Sequence, residues 1–356
     1  MHQNLASTVV TAVLSRQLVY SRHYPLTIHY DSSRHSPLRG CLALLLENAH
    51  RWMDVSLQLD RDDVETFQNS SVAFPLLERL DVDFSIQGAH APGFNWALHF
   101  PKISHLGLDG NVFSDLHLTP WKRLASLKLH AAAPIILDTL SLAPQLISAN
   151  LSLSHPIKTQ WTRPQVECSQ LSVLEIYQGM RHGAEPHLIS LLRAPALREL
   201  DFRSYTSAYH KPIYSTAASL KTFLSASRCS LTWLSYRGEA AEPAFLDALS
   251  LVPSLTYLAF EPMDDTIPHS FIRSLTQSNA SNPLLPALII LELGRMPEIR
   301  KGDGNLREDV ERMLRSRNAA TEAGTLRSVT FEWWVAETDP DPLFVVPGLD
   351  MNILRY

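Results

Sequence analysis

Apolar residues along this chain keep falling into one short phrase, L-x-x-L-x-L, in which any large apolar residue can stand for leucine. FPLLERLDVDF at 74–84, APALRELDFRS at 194–204, VPSLTYLAFEP at 252–262 and LPALIILELG at 285–294 are clear copies. Eleven copies start at Trp52, Leu77, Ile103, Leu124, Leu146, Leu171, Leu197, Leu231, Leu255, Leu288 and Leu326. Alternation of apolar and polar residues at the end of each copy predicts a β-strand with one buried face. A proline often comes just before (Pro75, Pro101, Pro144, Pro195, Pro253, Pro286), as suits a turn where no ladder donor is needed. Between the phrases, apolar residues at helical spacing predict helices over 37–49, 186–195, 219–227, 242–253, 268–278 and 305–318. In the last of these, Asn305 and Glu308 have the spacing of a capping box. A first helix is expected over Leu5–Tyr20.

Successive copies are 21 to 38 residues apart. Most of the steps fall within the about 20–29 residues of a leucine-rich repeat. The pattern therefore predicts an α/β fold, an irregular leucine-rich-repeat solenoid of about eleven degenerate repeats. Its curved parallel sheet would form the concave face, with helices and loops on the convex face. The expected divisions are an N-terminal capping helix and strand (1–36), the solenoid (37–335) and a C-terminal capping tail (336–356). Residues interleaved with the apolar ones would point to the concave face, and most are polar. A doubly wound sheet would be apolar at both sets, which argues against that fold. The asparagine that usually follows the strand is convincing only at Asn111, so the turns must be held by other means.

Composition narrows the picture. The chain has 356 residues, 45% hydrophobic and 19% charged, with a net charge of −5. That is a folded protein without the electrostatic footprint of a nucleic-acid binder. No apolar run approaches the roughly 20 residues of a membrane helix, so no membrane partner is expected. Cys41, Cys168 and Cys229 are far apart and lack C-x-x-C spacing, which predicts buried thiols in a reducing compartment. Cytoplasm or nucleus follows. The first thirty residues lack Asp and Glu and carry Arg16 and Arg22, so a mitochondrial presequence is the alternative.

Chemistry is sparse. No G-x-S-x-G, H-E-x-x-H, P-loop or dinucleotide-binding motif occurs, and the chain reads as a non-enzyme with no catalytic residue, metal or cofactor. His182 and His187 around Glu185 come nearest to a metal set, but such sites need three or four convergent ligands. Asp303, Asp339 and Asp341 lack the further ligands of a calcium loop, and Asp62/Asp63 and Asp264/Asp265 read as helix starts. Trp333 shares the parity of Phe331 and reads as core, with Trp334 beneath the tail. The remaining feature is the concave face. Its interleaved positions carry ten acids (Asp54, Asp81, Asp83, Asp109, Glu175, Glu199, Asp201, Glu261, Glu292, Glu332) against four bases (Arg79, Lys128, Arg203, Arg237). Clustered charge of one sign speeds encounter with an opposite partner. Tyr177, Trp233 and Tyr257 lie on nearby repeats, and Trp, Tyr and Arg are common hot-spot residues. The candidate partner-binding set is Asp81, Asp83, Asp109, Glu175, Tyr177, Glu199, Asp201, Arg203, Trp233, Arg237, Tyr257 and Glu261, facing a protein with a basic segment. A face that is polar merely to stay soluble is the competing explanation.

SRHYPLTIHY (21–30), PLRGCLALLLENAHRWMDVSLQL (37–59) and FPLLERLDVDF together resemble the F-box proteins of mushroom-forming fungi. Pro25-Leu26, Ala49 to Trp52 and Pro75 to Leu80 carry the match, and His50-Arg51-Trp52 is its sharpest element. The resemblance covers nearly the whole chain. It implies a monomeric module that recognises protein substrates through its repeats, like the substrate-binding part of a ubiquitin-ligase adaptor. The opening L-P-x-E motif of an F-box does not occur before Pro25, so a Skp-type adaptor is not expected to bind through this chain. A repeat scaffold unrelated to ubiquitination, or a truncated or decayed family member, is the alternative.

Overall fold

The computed structural model describes residues 2–32, 41–68, 70, 72–84, 100–109, 121–153, 165–180, 187–206, 215–238, 243–262, 267, 269–276, 284–296, 304–319, 326–333 and 349–355. They form two compact units, residues 1–155 and 156–356.

The first unit opens with helix α1 (His2–Tyr20) and strand β1 (Leu26–Asp31). Helix α2 (Cys41–Leu46) and a 3-10 turn (Ala49–Arg51) lead into β2 (Trp52–Leu59), followed by α3 (Arg61–Gln68). Then come β3 (Arg79–Phe84), β4 (His105–Asp109), β5 (Ser126–Ala131), α4 (Ala133–Ser141) and β6 (Ser148–Leu153). Strands β1 to β6 pair in sequence order, all parallel. In the second unit β8 (Val173–Met180), β10 (Glu199–Thr206), β11 (Trp233–Gly238), β12 (Tyr257–Pro262), β13 (Ile290–Met296), β14 (Ser328–Trp333) and β15 (Asp350–Arg355) do the same. Helices α5 (Thr216–Ser227), α6 (Pro243–Ser250), α7 (His269–Leu275) and α8 (Gly304–Ala319) lie in its connections. A two-stranded sheet pairs β7 (Val166–Glu167) with β9 (Leu192–Arg193).

Each of the eleven phrases runs into a strand, in a register that stacks like on like. Leu80, Leu106 and Leu127 share one row, and Leu200, Leu234, Leu258, Leu291 and Val329 share another; all are buried. The buried face of the second sheet meets the helices. The Phe245 ring of α6 lies 4.5 Å from Tyr236 and 5.0 Å from Phe260, and Phe271 of α7 lies 4.9 Å from Phe260. In the first unit Trp52, Phe74 and Phe100 form a chain of ring contacts at 5.2 and 5.0 Å.

The turns before the strands explain the recurring proline. Leu77, Ile103, Leu146, Leu197, Leu255 and Leu288 each donate a backbone hydrogen bond to the residue three before, closing turns over Pro75, Pro101, Pro144, Pro195, Pro253 and Pro286. Proline presets the backbone of a turn's second residue. The residue ahead of each proline and the leucine or isoleucine two after it are both buried, so every turn is pinned at both ends. Leu124 and Leu171 close the same turn without proline. These turns precede the strands; Asn111, the asparagine expected after one, lies outside the described residues.

Some elements differ from expectation. The segment 186–195 is not a helix but a 3-10 turn, Leu188–Leu191, followed by β9. Its apolar spacing suits one turn only, and pairing with β7 then takes the backbone. The helix expected over 37–49 is confined to Cys41–Leu46 among the described residues. Helix α8 begins at Gly304, one residue ahead of Asn305, whose side chain is outside the described set. Within the span expected as a capping tail, residues 350–355 form β15 beside β14. Most of 336–356, Trp334, and the Trp333 side chain lie outside the described residues.

The Arg51-Trp52 junction has a structural role. Trp52 is fully buried and its indole N–H donates to the Leu45 carbonyl at 3.1 Å. The buried Arg51 guanidinium donates to the carbonyls of Leu18 and Tyr24 and to Ser21 Oγ, at 2.7 to 3.3 Å. It thereby fastens the end of α1 to the turn before β1, supplying donors to carbonyls that a helix end leaves unsatisfied. Among the described residues, no helix is long and apolar enough to cross a membrane.

Candidate functional site

One face of each sheet meets its helices. The other carries the interleaved side chains, most of them half-buried or exposed. The candidate residues fall into two groups on these open faces, one in each unit.

In the first unit Asp81 pairs in register with Gly107, and Asp83 with Asp109. With Ser56, Gln58 and Lys128 they line a groove of about 450 Å³. Gly107 keeps it open: a Cβ there would stand 1.8 Å from Asp81 Oδ1. Burial, then the like charges of Asp109 and Asp31, push the Asp83 carboxyl above the usual carboxylate range, with Lys128 opposing them. His130 Nδ1 lies 3.6 Å from Asp109, an ion pair when the imidazole is protonated. A second hollow of about 510 Å³ lies between α1 and β1 and is lined mainly by apolar residues such as Val10, Leu14 and Ile28.

The second unit gathers the other nine candidates. Pairing in register sets them in three rows across the strands. Glu199, Trp233 and Tyr257 stand in one row. Glu175 and Asp201 stand in the next, continuing through Ser235 and Ala259 to Glu292. Tyr177, Arg203, Arg237 and Glu261 form the third. Adjacent strands lie about 4.8 Å apart, so neighbours in a row touch.

They do touch. Trp233 and Tyr257 stack with ring centroids 5.0 Å apart and planes within 10°. The Tyr257 hydroxyl hydrogen-bonds the Glu292 carboxylate, and burial together with that acceptor raises its pKa. Arg203 grips the buried Asp201 with both arms, Nε at 3.0 Å and Nη2 at 2.8 Å. Its guanidinium carbon also lies 5.3 Å from the centre of the Tyr177 ring. The Tyr177 hydroxyl faces Glu175 at 3.4 Å and Asp201 at 3.5 Å; burial, then Asp201, raises its pKa. Arg237 meets Glu261 at 3.4 Å.

The small residues Ser235 and Ala259 floor a groove of about 400 Å³ bordered by Arg203, Arg237, Glu261 and Glu292. Glu292 counts among the ten open-face acids, but neither it nor the hollow over Ser235 and Ala259 is in the candidate partner-binding set. A small-residue pair at ladder positions between large neighbours is the signal that finds them.

Candidates for other chemistry resolve differently. His187 is buried among structural partners, with Nδ1 2.9 Å from Ser219 Oγ and Nε2 3.2 Å from Thr216 Oγ1. Burial lowers its pKa to about 4. His182, Glu185, Asp264, Asp265, Asp303, Asp339 and Asp341 lie outside the described residues. Asp62 and Asp63 do begin α3; Asp63 is buried and accepts from the Tyr30 hydroxyl at 2.9 Å. No cluster of three or more metal-ligating side chains occurs among the described residues. All three cysteines are buried and unpaired, and burial followed by the Glu167 charge pushes the Cys168 thiol up to about 12.

No protein-family model matches the chain, and a search of curated proteins finds no significant match. The fold and the two open faces are therefore the ground on which function is read.

Proposed function

We propose that the chain is a leucine-rich-repeat-type recognition module whose open sheet face in the second unit docks a protein partner. In this reading it acts like the substrate-binding part of an F-box adaptor. The repeating turn, strand and connection at steps of 21 to 38 residues support the solenoid reading. One observation carries the docking reading: the stacked pair Trp233–Tyr257 sits half-exposed on an open face, not in the core. Two large rings held together at a surface offer wide contact area at little further entropic cost. Paired arginines and carboxylates surround them, as in the polar rim of an interface.

The test is affinity purification of the chain from its native cells at low salt, in parallel with a Trp233→Ala/Tyr257→Ala variant of unchanged circular dichroism. The proposal expects at least one discrete partner that the variant loses. A Skp adaptor and a cullin among the proteins lost would place the module in a ubiquitin ligase. A partner set identical in wild type and variant would overturn the docking reading.

A further inference from the structure

The second sheet contains its own template for a ligand. Across two adjacent rows, the Arg203 guanidinium lies 5.3 Å from the centre of the Tyr177 ring, its neighbour in register, and is held by the Asp201 carboxylate. The arrangement has three parts: an aromatic ring, a carboxylate on the adjacent strand, and a guanidinium shared between them. The remaining row of the same sheet holds two of these parts, a ring and a carboxylate. Trp233 stands on β11 with Glu199 directly beside it on β10, in register. Beyond Trp233 comes the stacked Tyr257, hydrogen-bonded to Glu292.

The third part is missing there. Glu199 is exposed and has no cationic partner among the described residues. The two cations standing in these rows are already engaged, Arg203 with Asp201 and Arg237 with Glu261. Counted together, Glu175, Glu199, Asp201, Glu261 and Glu292 set five carboxylates against these two guanidinium groups. That is a surplus of three negative charges around an aromatic platform. A cation is attracted to the ring face of Trp more strongly than to that of Tyr or Phe. A planar guanidinium can stack on the ring and pair with a carboxylate at once, which the compact ammonium of lysine does less well.

We propose that the Trp233–Glu199 site takes an arginine side chain of the docked protein segment, stacked on the outer face of Trp233 and paired with the Glu199 carboxylate. This rests on the docking reading above and names the anchor it would use.

The probes are three dodecapeptides of otherwise identical Gly/Ser sequence, carrying arginine, citrulline or lysine at three spaced positions. Citrulline keeps the shape of arginine and lacks its charge. Titration calorimetry with the full chain at low salt should show the arginine peptide binding at least about tenfold more tightly than the citrulline peptide, and several-fold more tightly than the lysine peptide. Trp233→Ala and Glu199→Gln should each weaken the arginine peptide about tenfold. Glu78→Gln, an exposed change in the first unit, should leave it unchanged. Arginine and citrulline peptides of equal affinity would overturn the proposal, as would a lysine peptide that matches arginine, or indifference to Glu199→Gln. If cellular partners still depend on Trp233 and Tyr257 while citrulline and Glu199→Gln change nothing, docking stands and the arginine anchor falls. If partners ignore the Trp233→Ala/Tyr257→Ala variant, the docking reading itself falls.

Discussion

Arg317 shows how much one side chain can hold. It is 1% exposed, and its guanidinium donates to three carbonyls: Leu275 at 2.7 Å, Leu285 at 2.7 Å and Leu284 at 2.5 Å. Leu275 ends α7, and Leu285 opens the turn before β13 with a φ of 51°. A left-handed backbone at a leucine costs about 1–2 kcal/mol, so that turn needs outside support. Burial lowers the guanidinium to about 10, which leaves it charged at neutral pH. Arg317→Met should therefore destabilise the protein by about 3–5 kcal/mol, because it strands three carbonyls that accepted from a charged donor. Arg317→Lys should recover little of this, since a single ammonium lacks the fork that spans three acceptors. Urea midpoints at constant slope read both effects; a midpoint shift for Arg317→Met below about 1 kcal/mol would show that the guanidinium is not the fastener.

The joint between the 3-10 turn Leu188–Leu191 and α5 is pH-sensitive by construction. His187 precedes the turn, and both ring nitrogens meet hydroxyls of α5. Burial depresses the imidazole to about 4, so the unfolded chain takes up this proton first as pH falls. The stability linked to His187 is complete above the unfolded value near 6.5 and drains away between there and about 4. The loss amounts to on the order of 3 kcal/mol, and His187→Gln should remove that part of the pH dependence. Urea unfolding of both proteins between pH 7 and 4.5 decides it; parallel curves would mean that His187 is not the titrating group. The same region marks where sequence reading reached its limit. Strands were legible because alternation over Leu200-Asp201-Phe202-Arg203 has one physical meaning, a sheet with one buried face. The 186–195 segment was not, because Leu188, Ile189, Leu191 and Leu192 suit a helix as well as a turn plus a bridge. Helix α4 was hidden by Pro134, which is harmless in a first turn yet reads as a breaker. The open-face residues were legible one by one. Which of them pair was not, since the Trp233–Tyr257 stack and the Arg203–Tyr177 contact depend on register between strands 24 and 26 residues apart.

Charge is the property that belongs to the whole chain. Its net value is −5, yet the described open-face positions alone hold nine carboxylates against Arg79, Lys128, Arg203 and Arg237. The acidic surplus of the molecule is thus concentrated on the two open faces. A face that is polar only for solubility has no need of one sign, because mixed charges solvate equally well. A face that receives a basic segment gains from a single sign through faster encounter, and that gain is screened by salt over a Debye length of about 10 Å at 0.1 M. The apolar contacts beneath the sheets are not screened in this way. Raising salt from about 0.05 to 0.5 M should therefore slow association of the arginine peptide about tenfold, with little change in its dissociation rate. Stopped-flow association on the full chain measures both rates. An association rate indifferent to salt would mean that the acidic surplus does not steer, and the solubility explanation would then account for these charges.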